Sequence, residues 1–371
     1  MSEQQGVGST EPSKSAGDGF AGAGAGNWGR VLTLGVEEEL MLVDAETLSQ
    51  RPVSADVIAR VDAERGLVKH ELFASIVELN SGVCESPDDA LAVVSELRRA
   101  TAAAAQAVGC TIAAVASHPT DIASEQAIAD EEHYTKFVEY AGPTARRQGV
   151  QGVHVHVGMP DAETCLRVME LMIPWLPVVL ALSANSPWFE GERTGLMSTR
   201  AEILGLLPRH GAPPRFDSWS DWERLIARFV ASGVVPGYGA IHWDIRPHPR
   251  FGTLEVRMPD QPTNVERTGA FAALIHALAT WALEQPPAEP AAGDRAVFQQ
   301  NRLAASRFGP RADLIHPERD GEAASATDLY AELVERIDAD PLGTGGCEAD
   351  LQLAFDDPHE AIADVVRRSL T

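Results

Sequence analysis

The sequence predicts an α+β protein in which strands carry a polar, metal-binding face and helices supply much of the apolar bulk. Three observations predict it. Several short segments place ionisable or imidazole side chains at every second residue, the period of a strand. Alanine- and leucine-rich runs with capping residues have the length and composition of helices. Strand–helix–strand units are few, and neither GxGxxG nor a Walker A motif occurs, so a Rossmann domain or P-loop is not expected.

The elements follow in chain order. Residues 1–29, rich in Gly, Ala and Ser, read as a disordered leader, and residues 30–371 as a single catalytic domain. Thr33–Asp44 (TLGVEEELMLVD) reads as a strand with Glu37, Glu39 and Met41 on one side and Glu38, Leu40 and Leu42 on the other. Gly66–Asn80 offers two extended segments whose acidic members are Glu71 and Glu78. Ser86, with Asp89 three residues on, caps a helix that runs to Val108. A strand over Thr111–Ala116 follows, then a polar, helical stretch over Ile122–Arg147. Val150–Met159, containing GVHVHVGM, is a further strand. A helix from about Ala162 enters the apolar stretch Leu171–Ala184. That stretch has 14 residues and is interrupted by Pro174 and Pro177, so it reads as a buried, kinked helix, since a membrane span needs about 20. Ile241–Pro259 reads as an extended segment, a Pro-rich turn and a strand; helices follow over Asn264–Glu284 and Val297–Phe308, separated by a loop at 286–293, and the acidic remainder is helical.

The chain has 371 residues, 44% of them hydrophobic, enough for a sizeable core. Its formal charge of −24 argues against nucleic acid or anionic membrane as the main partner. An anionic small molecule would need a local basic island, and Arg193, Arg200, Arg246, Arg250 and Arg257 supply candidates. The four cysteines are far apart and form no CxxC pair, which fits a reducing, cytoplasmic compartment.

Three pairs carry the chemistry: Glu37 with Glu39, His154 with His156, and Glu255 with Arg257. Two carboxylates on one strand face lie about 6.6 Å apart along the backbone and repel each other, a penalty that a divalent cation removes. Oxygen-rich coordination with an imidazole suits Mg²⁺ or Mn²⁺ better than zinc. Each pair alone is compatible with the solvated side of a strand; three in one chain, each opposite a largely apolar face, point to a site. Gly35 and Gly158 flank these pairs and permit close approach of a ligand. Arg246 and Arg250 flank a stiff Pro-His-Pro turn, where a guanidinium fork suits phosphate or carboxylate, or alternatively bridges to Asp244 or Glu255.

These stretches resemble the type 2 glutamate–cysteine ligase family, the YbdK-like carboxylate–amine ligases. The resemblance rests on GVEEELMLVD at Gly35–Asp44, VELNSGVCE at Val77–Glu85, GVHVHVGMPD at Gly152–Asp161, LSANSPWFEGERTG at Leu182–Gly195 and WDIRPHPRFGTLEVRMPDQPT at Trp243–Thr263. It implies a glutamine synthetase-like fold, with a curved antiparallel sheet forming the active-site cleft and helices packed outside. It also implies ATP and amino acids as substrates, a homodimer, and Glu37, Glu39, Glu78, His154 and Glu255 as metal ligands. By the same resemblance His156 lies nearer the nucleotide, and Glu255 with Arg257 joins a metal ligand to a phosphate-stabilising cation; from their own chemistry Arg193, Arg200 and Arg246 are candidates to hold the nucleotide, and Arg250 and Glu37 to act with Arg257 on the transferred phosphoryl group. Trp188–Arg200 is the expected covering loop. Two departures stand out. Gln300 occupies the family's usual Glu before Asn-Arg, and Gly343–Leu353 lacks the family's terminal arginines. A metal-dependent hydrolase or kinase, or a non-catalytic nucleotide-binding descendant, would use the same acidic strands.

Overall fold

A computed structural model describes residues 26–235, 237–287, 293–343 and 346–371. Residues 1–25 of the expected leader and 288–292 of the expected loop lie outside the described residues. The centre of the molecule is an antiparallel sheet of seven strands: β1 (Leu34–Asp44), β2 (Leu67–His70), β3 (Ile76–Asn80), β4 (Cys110–Ala113), β5 (Val153–Gly158), β6 (Ile245–His248) and β7 (Thr253–Val256). The strand order is β6-β7-β5-β1-β3-β2, with β4 also paired to β1. The path does not close on itself. Its longest strand, β1, pairs with β5 along one half and β4 along the other, with β3 on its opposite edge.

Alternation along β1 divides the molecule into layers. Leu34, Val36, Leu40 and Leu42 join Val77, Leu79, Val153, Val155, Leu254 and Val256 in the main core. That core is roofed by α1 (Pro87–Gln106), α2 (Ala162–Met172), α3 (Leu176–Ser183) and α4 (Val265–Glu284). Ser86 accepts the Asp89 amide proton at the start of α1, as the capping pattern predicts. The run from Ala162 to Ser183 is long and apolar enough to span a membrane by length and composition, yet 78% of its window is buried inside the protein. A 3₁₀ turn over Ile173–Trp175 marks the predicted kink at Pro174.

The opposite sheet face is split. Met41, Val43, Ile76 and Ala113 form a second small core, closed partly by Ile362 and Val365 of the C-terminal helix α5 (Pro358–Ser369). The other half of that face bears the charged residues. The polar stretch expected to be helical over 122–147 is broken into a 3₁₀ turn and the helices Glu132–Ala141 and Pro143–Arg146. Its middle carries Gly142 at φ 57°, which halts the first helix. A helix over Trp219–Ala231 is not foreshadowed by the patterns above.

Candidate active site

Strand register assembles the site. Glu37 stands opposite His154, Glu39 opposite Glu78, His156 opposite Glu255, and Glu255 opposite Arg246. Cross-strand partners share a face, so the three sequence pairs converge on one surface. The cavity there is about 240 Å³, and its lining includes Glu37, Glu78, His154, His156, Arg246, Arg250, Glu255 and Arg257.

Its contacts are dense. Glu37 Oε2 lies 3.1 Å from His154 Nδ1, and Glu37 Oε1 accepts from Asn80 Nδ2 at 2.9 Å. His156 Nδ1 meets Thr253 Oγ1 at 2.9 Å. The other ring nitrogen, His156 Nε2, is buried without a hydrogen bond and faces Glu37 Oε1 at 3.6 Å. Glu255 is gripped by Arg246 at 2.6 and 3.1 Å and pairs with Arg257. Glu78 pairs with Lys69 at 2.8 Å. Glu39 accepts the Gly152 amide proton at 2.7 Å and stands 3.9 Å from His154 Nε2.

The electrostatics show an excess of buried negative charge. Burial, helped by the charge of Glu71, pushes Glu39 up to about 7. Burial and the nearby Glu37 push Glu78 well above the ordinary carboxylate range. Burial would also raise Glu255, but Arg246 and Arg257 hold it well below that range. Burial beside Arg257 drives His154 down to about 3, leaving a neutral imidazole.

A donor set for a cation is present. Ligand atoms of Glu37, His156 and Glu255 lie within 4.8 Å of one another, all three residues buried. His156 Nε2 without a partner, beside Glu37 and Glu255, whose neighbours hold both carboxyls well below the ordinary range and so charged, fits a hard divalent cation sharing oxygen and imidazole donors. The tightest set thus contains His156, whereas the resemblance gives the metal to His154 and places His156 toward the nucleotide.

Several expected residues go elsewhere. Arg193 sits in the short hairpin Trp188–Phe189/Glu192–Arg193, its guanidinium 5.0 Å from the Trp188 ring and 3.0 Å from Asp356, so it fastens the C-terminal segment. Arg200 is buried behind the sheet end, donating to the carbonyls of Arg257 and Met258 at 3.0 Å. A Cβ on Gly152 would stand 2.0 Å from its Nη2. Arg200 therefore positions the backbone next to Arg257 and does not reach the cavity. Among the described residues, none of 188–200 lines the cavity, and Trp188 and Met197 are buried against the body. Gly158 admits the Arg30 carbonyl, which a Cβ would approach to 1.8 Å, and Gly35 meets ordinary contacts; neither lines the cavity. Asn27 and Gly29, from the expected leader, hydrogen-bond to the carbonyls of Pro249 and Met159.

Sequence reasoning missed Lys69, Glu71, Tyr238, His248 and Phe251, which complete the lining together with Gly239. Lys69 and Glu71 alternate as site residues do, and His248 lies in the Pro-His-Pro turn. Tyr238 carries no such pattern.

Comparisons with known proteins agree with this architecture. A profile of Glutamate-cysteine ligase family 2 (GCS2) matches residues 33–354. The chain is 37% identical over 324 residues to "Putative glutamate--cysteine ligase 2-3" of Rubrobacter xylanophilus, covering 86% of this chain and 87% of that protein. It is 36% identical over 318 residues to "Putative glutamate--cysteine ligase 2" of Herpetosiphon aurantiacus, covering 84% and 82%. In fold it is similar to a Francisella tularensis glutamate–cysteine ligase solved in complex with AMP, with a TM-score of 0.65 at 12% identity over 92% of this chain and 89% of that one. A bifunctional glutathione synthetase from Pasteurella multocida gives 0.61 at 15% identity, covering 91% of this chain and 50% of that one. With both structures the likeness is one of α+β fold. With the family profile spanning most of its length and its site strands in register, the chain belongs to glutamate–cysteine ligase family 2, the YbdK-like ligases.

Proposed function

We propose that the protein is a cytoplasmic ATP-dependent carboxylate–amine ligase that joins L-glutamate and L-cysteine into γ-glutamylcysteine, releasing ADP and phosphate. The observation that carries this reading is the convergence of Glu37, His156 and Glu255 with Arg246, Arg250 and Arg257 on one sheet face. A carboxylate oxygen is a poor leaving group, so the γ-phosphoryl group of ATP is first transferred to it, giving an acyl phosphate that the second substrate's amine attacks. Glu37, His156 and Glu255 would hold Mg²⁺ or Mn²⁺, with Glu39 and Glu78 as neighbouring carboxylates. A cation held there would supply positive charge that offsets the phosphates and favours transfer. Arg257, whose side chain is 21% exposed, points charge toward developing phosphoryl oxygens while Glu255 fixes its direction. Arg246, spent on Glu255 and on the carbonyls of Gly239 and Ile241, orients that carboxylate. Arg250 stands at the wall with its guanidinium 5.8 Å from the Phe251 ring.

The test is Mg²⁺-dependent phosphate release from ATP across pairs of amino acids, with the amide product measured in parallel. ADP and γ-glutamylcysteine are expected in equal amounts only when both amino acids are present. ADP without any amide for any pair identifies a hydrolase and ends the ligase reading.

Cation binding and pH should be coupled. A carboxyl moved from 4.5 to about 7 keeps its proton in the folded state where the unfolded chain has lost it. Stability from such a group falls as pH rises through the folded value. The buried histidines act oppositely, but only below about pH 6.5, where unfolded imidazoles take protons. Above that, Glu39 and Glu78 dominate among these groups. Thermal unfolding in EDTA should therefore show a lower Tm at pH 8.5 than at pH 6.5, with roughly 1 kcal/mol lost through Glu39 alone. Saturating Mg²⁺ should reduce that loss, because a cation held by Glu37, His156 and Glu255 offsets the charge of the neighbouring Glu39 and Glu78. An equal Mg²⁺ stabilisation at both pH values would contradict this assignment.

A further inference from the structure

Arg302 lies outside the cavity lining, yet its contacts run to both backbone supports of Arg257. Arg257 follows the last residue of β7, and its peptide groups are held from outside that strand. Its amide donates to the Asp244 carbonyl at 2.8 Å, and its carbonyl accepts from Arg200 Nη2 at 3.0 Å. Arg302, in the helix Asp294–Phe308, reaches both neighbours. Its Nε donates to Asp244 Oδ2 at 2.9 Å, and its Nη2 donates at 2.6 Å to the carbonyl of Ala201, the residue after Arg200. Both Arg302 and Asp244 are buried. His210 Nε2 stands 3.4 Å from Asp244 Oδ1. Burial, with the charges of Arg302, Arg200 and Arg257, drives that imidazole down to about 4 against the pull of Asp244. At neutral pH it carries no charge, so among the described residues Arg302 is the cation in contact with Asp244.

Ile245 pairs with Val256 and Arg246 with Glu255, so the next rung sets Asp244 opposite Arg257. Opposite charges at facing positions attract. A buried carboxylate that loses its own cation is costly, and a guanidinium within reach relieves the cost. Arg257 is within reach, since its charge is felt at His210, which stands against Asp244. Glu202, the other acid beside Arg302 at 3.6 Å, has a side chain 35% exposed and can turn to water. Asp244 has no such outlet. We propose that Arg302 is a positioning residue that keeps Asp244 occupied, so that the Arg257 guanidinium stays on Glu255 and faces the transferred phosphoryl group. This rests on the ligase reading above and adds to it what holds the phosphoryl-directed cation in place. A shift of about 1 Å in such a group costs up to about 100-fold in rate, so a side chain remote from the chemistry can govern turnover.

The test uses the full chain with Mg²⁺, ATP, L-glutamate and L-cysteine. Arg302→Met should lower kcat about 30-fold and leave the KM for ATP within about threefold, as loss of a contact made in the transition state does. Arg302→Lys keeps a charge beside Asp244 and should restore most of the loss. Asp244→Asn added to R302M removes the carboxylate that draws Arg257 away, so the double variant should turn over at least about tenfold faster than R302M. A role confined to folding predicts the reverse, because the double variant breaks one more buried contact. A double variant no faster than R302M, or R302M with the kcat of wild type, overturns the proposal. The crystal structure of R302M should show the Arg257 guanidinium turned from Glu255 toward Asp244. A guanidinium still on Glu255 overturns the proposal whatever the turnover. Arg302→Gln, which can still donate to the Ala201 carbonyl, takes the place of R302M if that protein does not fold. If wild type makes no amide from any pair of amino acids, the ligase reading fails, and the crystal structure alone decides whether Arg302 places Arg257.

Discussion

Replacing Glu37 with Gln should lower Mg²⁺-dependent amide formation by at least about 100-fold while the protein still folds. The magnitude follows from its place. Even groups that merely orient a metal ligand cost 10- to 100-fold when removed, and Glu37 is a donor of the set itself. The amide keeps nearly the same shape and an oxygen to accept from Asn80, so the neighbouring strands keep their register. What disappears is one negative charge facing His156 Nε2 at 3.6 Å. Loss of that charge relieves Glu78, which Glu37 helps push upward, but it also ends the contacts with His154 and His156 that hold Glu37 well below the ordinary carboxylate range, so the folded protein without metal should lose some stability at neutral pH. Turnover, Mg²⁺ affinity and Tm measured on one preparation separate the effects. Near-normal turnover with intact Mg²⁺ affinity would place the chemistry elsewhere.

The sheet and most of the site were legible in the sequence for one reason: a strand's period of two writes its faces directly into residue order. That period sets Glu37 and Glu39 on the face opposite Glu38, Leu40 and Leu42, and His154 and His156 on one face of their own strand. What alternation does not carry is which strand lies beside which. Register alone shows that His156 meets Glu255 and that Glu39 meets Glu78. Arginines were harder still. Arg193 and Arg200 sit in a stretch that resembles the family and is rich in charge, yet one fastens the C-terminal segment and the other holds backbone carbonyls. A guanidinium reaches far and pairs with almost any oxygen, so its destination depends on contacts distant in sequence. The turn at 248–251 shows the converse. Its prolines announced stiffness, but the stacking of His248 on Phe251 depends on Tyr238 and His156, brought in from other segments.

Arg98→Met should cost the fold about 3–5 kcal/mol, and Glu38→Leu combined with it should recover most of that loss. Glu38, the central carboxylate of the Glu-Glu-Glu run, is fully buried on the helix side of β1, and Arg98 of α1 is 4% exposed. Arg98 grips it at 2.6 and 2.5 Å and donates also to the carbonyls of Thr263 and Pro262 at 2.6 and 2.9 Å. Gln261 and Thr268 donate to the same carboxylate. Gln261 also accepts the Glu39 amide proton at 3.0 Å, so the network ties the metal-bearing strand to the segment following β7. With Arg98 gone, Glu38 keeps those two neutral donors and loses its only cationic partner among the described residues. An isolated buried charge is costly, whereas the pair itself contributes little beyond a well-packed apolar replacement, because both ions were taken out of water. Denaturant unfolding of the two single variants and the double variant measures the coupling directly. Losses that add without coupling would show that the two charges do not depend on each other. Strong coupling with restored stability but reduced turnover would show that the buried pair sets the position of Glu37 and Glu39, since a purely stabilising contact would return activity along with Tm.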